Sequence, residues 1–214
     1  MSRIHPSSPV EVSMVPAIGA ADVGLVAEIT DLVNRVYAGA EEGLWLDGAS
    51  RTTEREIAAL IRGEQVAAAR CDGRLAGIVR VRRLDGDEGE FGMLVAAPEQ
   101  RGVGIGRELV GFAERWARER GLARMQLELL VPQTWSHPVK EFLRDWYTRI
   151  GYRVVRTGNF DEDYPALAAQ LATPCDFVIF HKDLTGVAAG GPPRHGNAPR
   201  SIGGDVPRGT SVPA

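Results

Sequence analysis

Hydrophobic and polar positions along the chain change period several times, and each change predicts a new structural element. Val10, Val12 and Met14 alternate with polar residues, a pattern typical of a strand with one buried face. Over 25–36, apolar residues recur at the spacing of one face of an amphipathic helix. Asp22 precedes this run and can accept a hydrogen bond from an amide of the first turn, so we expect a helix to begin there.

The middle of the chain predicts a second helix and then antiparallel strands. Thr53 followed by Glu56 is a capping box, which indicates the start of a helix. The strand patterns over 65–71 and 74–84 flank Asp72-Gly73. That dipeptide favours the tight turn of a β-hairpin.

The second half predicts alternating helices and strands. A glycine-rich loop opens a long helix that ends at Gly121, because glycine readily adopts the left-handed conformation that terminates helices. Pro138 suits the first turn of a later helix, whose apolar residues share one face. These residues are Phe142, Leu143, Trp146 and Ile150. The other predicted elements are strands over 90–96, 124–130, 152–157 and 175–181 and a short acidic helix over 161–172.

The order β-α-α-β-β-β-α-β-α-β-α-β predicts an α/β (α+β) domain whose mixed, mostly antiparallel central sheet has helices on both faces. Hairpins make the middle antiparallel, whereas the strand–helix–strand unit around Gly121 makes one pair parallel. We expect a single folded domain over 9–184. Residues 185–214 hold seven Gly and five Pro but no Leu, Phe, Tyr or Trp. A disordered tail is therefore predicted there, and a flexible segment over 1–8.

Composition and charge narrow the classes of function. The 214 residues are 44% hydrophobic and 25% charged, as in an ordinary globular domain. The net charge is −3 and there is no basic stripe, so we expect no nucleic-acid partner. There is no secretory signal and no apolar run of ~18 residues, so we expect no membrane partner. Cys71 and Cys175 are isolated thiols, which suit a reducing cytoplasm, although a disulfide between them stays open. The four histidines lack metal-ligand spacing, so no metal is expected.

The glycine-rich loop over 100–107 carries the clearest chemical signal. Its three glycines let the backbone approach a ligand closely, and the start of the next helix adds roughly half a positive charge. Such a loop can hold a pyrophosphate, although a tight turn without a ligand would show the same glycines. A P-loop is excluded, because Arg107-Glu108 stands where Lys-Ser/Thr is required. A dinucleotide fingerprint is disfavoured, because Arg107 occupies its third glycine position.

Two motifs resemble the GNAT superfamily of N-acetyltransferases. Within 94–106, Arg101-x-x-Gly104-x-Gly106 matches the family's cofactor pattern, Gln/Arg-x-x-Gly-x-Gly/Ala after a strand. After a further helix and strand, Trp146-Tyr147-Thr148-Arg149-Ile150-Gly151-Tyr152 is similar to the family's aromatic-Tyr-x-x-Leu/Ile-Gly-Phe/Tyr signature. The predicted element order also matches over 10–183. The resemblance implies transfer of an acetyl group from acetyl-CoA to a primary amine.

The resemblance assigns the acyl-CoA contacts to two segments. The strand before the loop would pair with the pantetheine arm through its backbone, and the loop amides would bind the pyrophosphate. These residues are Leu94, Val95, Ala96, Arg101, Gly102, Val103, Gly104, Ile105, Gly106 and Arg107. Leu94 and Val95 could serve the core as well, since the proposed contacts use the main chain.

The attacking amine must first lose a proton, because an alkyl ammonium has a pKa of about 10. Glu128, on the strand after the long helix, is the first candidate for the proton acceptor, by resemblance to some family members. Glu88 and Glu90 are rivals, since other members use a glutamate on the strand before the loop. Alternation puts Glu90 on the same face as Gly92 and Leu94. Water alone is a further option.

Tyr147 matches the family tyrosine that gives a proton to the departing CoA thiolate. Helical spacing places it at the border of the apolar face of its helix, so a purely structural aromatic is the alternative. Lys140 stands where relatives often carry an asparagine that contacts the cofactor arm, which leaves this contact open. His137 could contact the ligand or lie in solvent.

The acceptor is the least specified part of the site. In relatives, the connection between the first two helices lines the acceptor side; here it carries Glu41, Glu42, Trp45 and Asp47. Asp161, Glu162 and Asp163 could form a second side. Acidic sides would favour a cationic amine, although solvated loops would look the same. A small-molecule amine, a peptide N-terminus and a protein lysine stay open, as do a non-catalytic acyl-CoA sensor or adaptor, a nucleotide-binding regulator and a homodimer.

Overall fold

The order of helices and strands agrees with the sequence prediction over residues 9–160 and 168–186, which the computed structural model describes. The predictions for 1–8, 161–167 and 187–214 lie outside the described residues. The strands are β1 (Glu11–Met14), β2 (Val66–Cys71), β3 (Arg74–Arg83), β4 (Glu88–Ala96), β5 (Arg124–Pro132), β6 (Arg153–Asn159) and β7 (Cys175–Asp183). The α-helices are α1 (Val23–Ala40), α2 (Glu54–Arg62), α3 (Ile105–Glu119) and α4 (Pro138–Arg149), with short 3-10 helices at Ala17–Ala21 and Pro98–Gln100.

The strands form one sheet in the order β1-β2-β3-β4-β5-β7-β6. Its β4–β5 pair, which α3 connects, is parallel, and the other pairs are antiparallel. Residues of α3 and α4 pack on one face and residues of α1 and α2 on the other. The predicted mixed, mostly antiparallel sheet flanked by helices is therefore confirmed.

Local sequence signals account for several element ends. The Asp22 carboxylate accepts a hydrogen bond from the Leu25 amide at 3.0 Å and so caps α1. Thr53 Oγ1 accepts from the Glu56 amide at 3.2 Å, whereas Glu56 Oε2 accepts from the Thr52 hydroxyl at 2.8 Å, so only half of the capping box forms. Asp72 has a φ of 50° and Gly73 a φ of 74°, as the tight hairpin turn requires.

The separation of β4 from β5 creates the space for a site. These two strands pair only from Glu88 to Glu90, against Arg124 to Gln126. Beyond Glu90 they part, while β5 keeps its other partner, β7, along its whole length. Among the described residues, the edge of β4 that faces β5 therefore has no strand partner after Glu90, and its backbone groups can bind an extended ligand.

A bulge in β4 overturns one prediction. Gly92 pairs with Arg80 but Val95 pairs with Ile78, so β4 holds an extra residue, and Met93 there has a φ of 48°. The bulge changes the phase of the strand: Leu94 packs into the α3–α4 core, the face opposite to that of Glu90. The prediction that Glu90 and Leu94 share a face is therefore wrong.

The inner face of α4 agrees with the prediction for Leu143, Trp146 and Ile150, which pack against the core, but not for Phe142. Phe142 is 59% exposed, whereas Lys140 and Tyr147 are buried. The helix is turned so that residues 140 and 147, two turns apart, face the sheet. Lys140 can occupy this side because a carboxylate neutralises it there, which the apolar pattern of α4 alone does not reveal.

Two further observations concern the whole described chain. Cys71 and Cys175 are both buried free thiols, so the disulfide left open by the sequence does not form between them. Within 9–160 and 168–186, none of the helices combines the length and the apolar character that a membrane span requires.

Candidate active site

A cavity of about 620 Å³ opens where β4 and β5 separate. Its walls come from the end of α1, the α1–α2 connection, α2, β3, the bulge of β4, β5 and the inner face of α4. The side chains with chemistry to offer are Tyr37, Glu41, Arg51, Glu56, Arg80, Arg82, Glu128, Lys140 and Tyr147. The volume lies in the range of sites for small ligands.

The glycine loop presents free amides at the start of α3. Gly102 and Gly104 have φ values of 87° and 90°, and no atom lies within 4 Å of the position where a Cβ would be at either residue. Gly104 is the N-cap of α3 and provides no capping side chain. Among the described residues, none accepts a hydrogen bond from the amides of Ile105, Gly106 or Arg107. These donors fit an anionic group such as a pyrophosphate.

Leu94, Val95 and Ala96 lie on the unpaired edge of β4, directly before this loop. On the other edge, Val95 pairs with Ile78 and Ala96 with Gly77 of β3. A strand held on one side and open on the other can pair with the amides of an extended ligand. The unpaired edge of β4 therefore leads directly into the glycine loop, which is the arrangement predicted from the sequence for these two segments.

Tyr147 projects from α4 into the cavity and is surrounded by aromatic rings. Their centroids lie 5.1 Å from its own in Trp146, 6.1 Å in Phe91 and Phe180, and 6.2 Å in Tyr152. Burial raises the pKa of Tyr147, and Tyr37 adds to the shift. The phenol therefore keeps its proton at neutral pH. Among the described residues, none forms a hydrogen bond with the Tyr147 hydroxyl.

The three candidate carboxylates occupy different environments. Glu128 lines the cavity, whereas Glu88 and Glu90 do not. Glu88 pairs with Arg124 at 2.9 Å, at the closed end of the β4–β5 pair. Glu90 is buried and accepts from Arg80 Nη2 at 2.5 Å, Arg82 Nε at 2.8 Å and Arg82 Nη2 at 2.8 Å. The lone pairs of Glu90 are thus largely occupied by cationic donors.

Backbone hydrogen bonds join the α1–α2 connection to the segment before β7. Leu46 donates a backbone hydrogen bond to Gln170, and Ala172 donates one to Leu44, both at 2.9 Å. Glu41, at the end of α1, accepts from Lys140 Nζ at 2.5 Å and from Trp45 Nε1 at 2.6 Å. The charge of Glu41 is therefore neutralised and not offered to an acceptor. The predicted second acidic side, 161–163, lies outside the described residues.

His137 has a structural role that the sequence reading did not include. It is buried, its Nδ1 accepts from the Val139 amide at 3.2 Å as the N-cap of α4, and its ring lies 5.3 Å from that of Trp135. The expectation of a histidine in solvent is wrong. Sequence reasoning also missed Arg51 as a site residue, because only the tertiary fold brings it to the others.

An open strand edge that leads into free amides suits the long arm and the pyrophosphate of coenzyme A, which indicates a CoA-dependent acyltransferase. Residues 30–152 match the model of the acetyltransferase (GNAT) family, and the chain therefore belongs to that family. It is an acetyltransferase whose acyl donor is acetyl-CoA, and the predicted family resemblance is confirmed. Among the described residues, no group of three or more His, Cys, Asp or Glu could hold a metal ion.

Solved structures of other acetyltransferases share the fold at low sequence identity. The ribosomal-protein-S18-alanine N-acetyltransferase of Escherichia coli is 14% identical, with a TM-score of 0.57, and the match covers 85% of this chain and 97% of that one. The IAA acetyltransferase of Bacillus cereus is 15% identical, with a TM-score of 0.53 and coverage of 82% and 99%.

The N-acetylglutamate synthase of Neisseria gonorrhoeae, solved with coenzyme A and N-acetyl-glutamate, is 16% identical with a TM-score of 0.55. The match covers 84% of this chain but only 36% of that longer protein. No curated protein sequence matches this chain significantly.

Proposed function

We propose that this protein transfers the acetyl group of acetyl-CoA to a primary amine by direct attack in a ternary complex. The observation that carries the proposal is that Glu128 of β5 and Tyr147 of α4 line one cavity beside the open edge of β4. A proton acceptor and a proton donor are the two groups that aminolysis of a thioester needs from the protein. A cytoplasmic location fits this proposal, since both thiols are free.

The donor would lie along β4 and α3. The backbones of Leu94, Val95 and Ala96 would pair with the pantetheine arm, and the amides from Arg101 to Arg107 would bind the pyrophosphate. A backbone N–H of β4 could also polarise the thioester carbonyl. Contacts of this type contribute roughly 3 to 4 kcal/mol in other acyl-transfer enzymes.

Glu128 would accept the proton of the incoming ammonium. It is preferred to Glu90 and Glu88 because, of the three carboxylates, Glu128 is the one that lines the cavity, whereas Glu88 lies at the closed end of the strand pair. Tyr147 would donate a hydrogen bond, and then its proton, to the departing sulfur. The raised pKa of Tyr147 keeps its phenol protonated and ready for that role.

A release assay tests the proposal directly. Purified protein is incubated with acetyl-CoA and a panel of amines, peptides and protein lysines, and free CoA thiol is measured. We expect amine-dependent thiol release and a mass increase of the acceptor by one acetyl group. Tight binding of acetyl-CoA without turnover on any acceptor would instead indicate a non-catalytic sensor or adaptor. Competition by ATP or NAD would indicate a nucleotide-binding regulator.

A further inference from the structure

The guanidinium of Arg51 lies close to two aromatic rings at the wall of the cavity. Its Cζ lies 4.9 Å from the ring centroid of Tyr37 and 5.9 Å from that of Trp45. Both distances are within the range of cation–π contacts. Arg51 also lines a second pocket of about 390 Å³, which opens beside the first. The guanidinium therefore stands where the two spaces meet.

Among the described basic residues of the cavity, Arg51 differs from the others in having no salt bridge. Arg80 and Arg82 pair with Glu90, and Lys140 pairs with Glu41. Glu41 and Glu56 act on Arg51 electrostatically without a salt bridge, and each is bonded elsewhere, Glu56 to the Thr52 hydroxyl. Apart from a hydrogen-bonding contact with the Tyr37 side chain, the guanidinium N–H groups of Arg51 have no partner among the described residues and can bind a ligand.

Several hydrogen bonds and one ion pair anchor the groups around Arg51. The Lys140–Glu41 pair is buried, with side-chain exposures of 4% and 6%, and Glu41 fixes Trp45 through the indole hydrogen bond. Next to Arg51, the Thr52 backbone exchanges two hydrogen bonds of 3.0 Å with the side chain of Asn34. These contacts fix the backbone beside Arg51 and the ring of Trp45, which restricts the space that the guanidinium can explore and so lowers the entropy cost of binding.

We propose that the amine acceptor also carries a carboxylate and that Arg51 binds it. A planar guanidinium presents two parallel N–H donors, which match the two oxygens of a carboxylate. The inference rests on the proposed transfer to an amine and names the acceptor class for the same cavity: a small amino acid whose free amine reaches Glu128 while its carboxylate stays at Arg51.

Matched pairs of acceptors test this. Each standard amino acid is compared with the amine formed by its decarboxylation, and phosphoethanolamine serves as an amine with a different oxyanion. The kcat/KM for thiol release is measured with the wild type, Arg51→Gln and Arg51→Lys. Arg55→Gln is the control, because it removes an exposed arginine of α2 outside both pockets.

We expect one or more amino acids to exceed their decarboxylated partners roughly tenfold to a hundredfold, as for a hydrogen bond to a charged group. Arg51→Gln should abolish that ratio, Arg51→Lys should restore it only partly, and Arg55→Gln should leave it unchanged. A wild type that prefers the decarboxylated amine or phosphoethanolamine overturns the proposal. Equal losses on both members of a pair in Arg51→Gln also overturn it, because they would indicate a structural role.

Binding measurements distinguish a failure of the inference about Arg51 from a failure of the proposed acetyl transfer. Calorimetry with coenzyme A present measures the affinity for each acceptor pair without any reaction. An Arg51-dependent preference for the amino acid supports the inference even where no acetyl group is transferred, and in that case only the transfer has failed. The absence of such a preference for every pair rejects the inference, whether or not some other amine is acetylated.

Discussion

The side-chain amide of Gln126 donates a hydrogen bond to Glu128, with Nε2 and Oε1 3.2 Å apart. The same nitrogen lies 3.4 Å from Glu90 Oε2, and the amide oxygen lies 3.0 Å from His181 Nε2. Because the nitrogen faces two carboxylates, the oxygen must face the imidazole, so His181 donates through Nε2. Gln126 thereby restricts the orientation of Glu128 at the wall of the cavity.

Glu128→Gln should lower kcat/KM most strongly at low pH. The substitution keeps the shape of the side chain but removes the proton acceptor, so the protein can use only the free amine already present in solution. General base catalysis contributes roughly a hundredfold to ten-thousandfold. The deficit should shrink as pH rises towards the pKa of the amine, because the free amine then needs no help. A pH profile of kcat/KM for wild type and variant measures this.

Glu88→Gln is the matched control, since Glu88 lies outside the cavity. It should leave the profile close to that of the wild type. A full loss in Glu88→Gln together with an active Glu128→Gln would assign the base to β4. If neither of these variants nor Glu90→Gln has an effect, water is the proton acceptor.

Tyr147→Phe should reduce kcat by roughly tenfold to a thousandfold while the KM for acetyl-CoA stays near the wild-type value. The ring and its aromatic contacts remain, so only the proton donor is lost. Steady-state kinetics with a fixed acceptor separate the two parameters. An unchanged kcat would leave Tyr147 with the purely structural role that its burial alone could explain.

The same substitution should change the stability of the protein at alkaline pH. Burial raises the pKa of Tyr147, whereas in the unfolded chain it is about 10. Above that pH the unfolded state releases the proton and the native state keeps it. The free energy of unfolding therefore falls as pH rises, by up to about 1.4 kcal/mol per pH unit for this group. Urea denaturation over this range should show a shallower fall for Tyr147→Phe, and equal slopes would contradict the assignment.

Gly104→Val should raise the KM for acetyl-CoA strongly. The side chain would enter the open space in front of the α3 amides, where the pyrophosphate is proposed to bind. It would also strain a backbone with a φ of 90°, so Gly73→Val, with a φ of 74° in a distant hairpin, is the control for strain alone. An equal KM in the two variants would mean that the loop does not hold the cofactor.

The sequence predicted those features that depend on neighbouring residues. The hairpin at Asp72-Gly73, the cap at Asp22 and the loop before α3 each have a local cause, and each forms as expected. The bulge at Met93 was not predicted, because Gly92 beside it was interpreted as an ordinary strand residue and the positive φ falls on the methionine. Its effect reaches the site, since it decides which β4 side chains face the cavity.

The other features that the sequence did not predict depend on contacts between residues far apart in the chain. Lys140 breaks the apolar pattern of α4, and its burial depends on Glu41, 99 residues earlier. Arg51 lies in a connection without periodic pattern, and only the rings of Tyr37 and Trp45 show that it belongs to the site. The sequence therefore predicts the secondary structure of the segment proposed to bind the cofactor better than the long-range contacts around Arg51.

The Lys140–Glu41 pair allows a test of the role of Lys140, which stands where relatives often carry an asparagine. Lys140 either stabilises the fold through Glu41 or contacts the cofactor. Removing one partner of a buried pair leaves an uncompensated charge, which typically costs 3 to 5 kcal/mol, roughly the loss we expect for Lys140→Met. The double variant Lys140→Met, Glu41→Gln removes both charges and should lose less than the two single variants together. Urea denaturation of all four proteins measures this coupling. The KM for acetyl-CoA should stay near the wild-type value in the double variant, since Lys140 Nζ binds Glu41. Additive stability losses with a raised KM would instead show that Lys140 serves the cofactor.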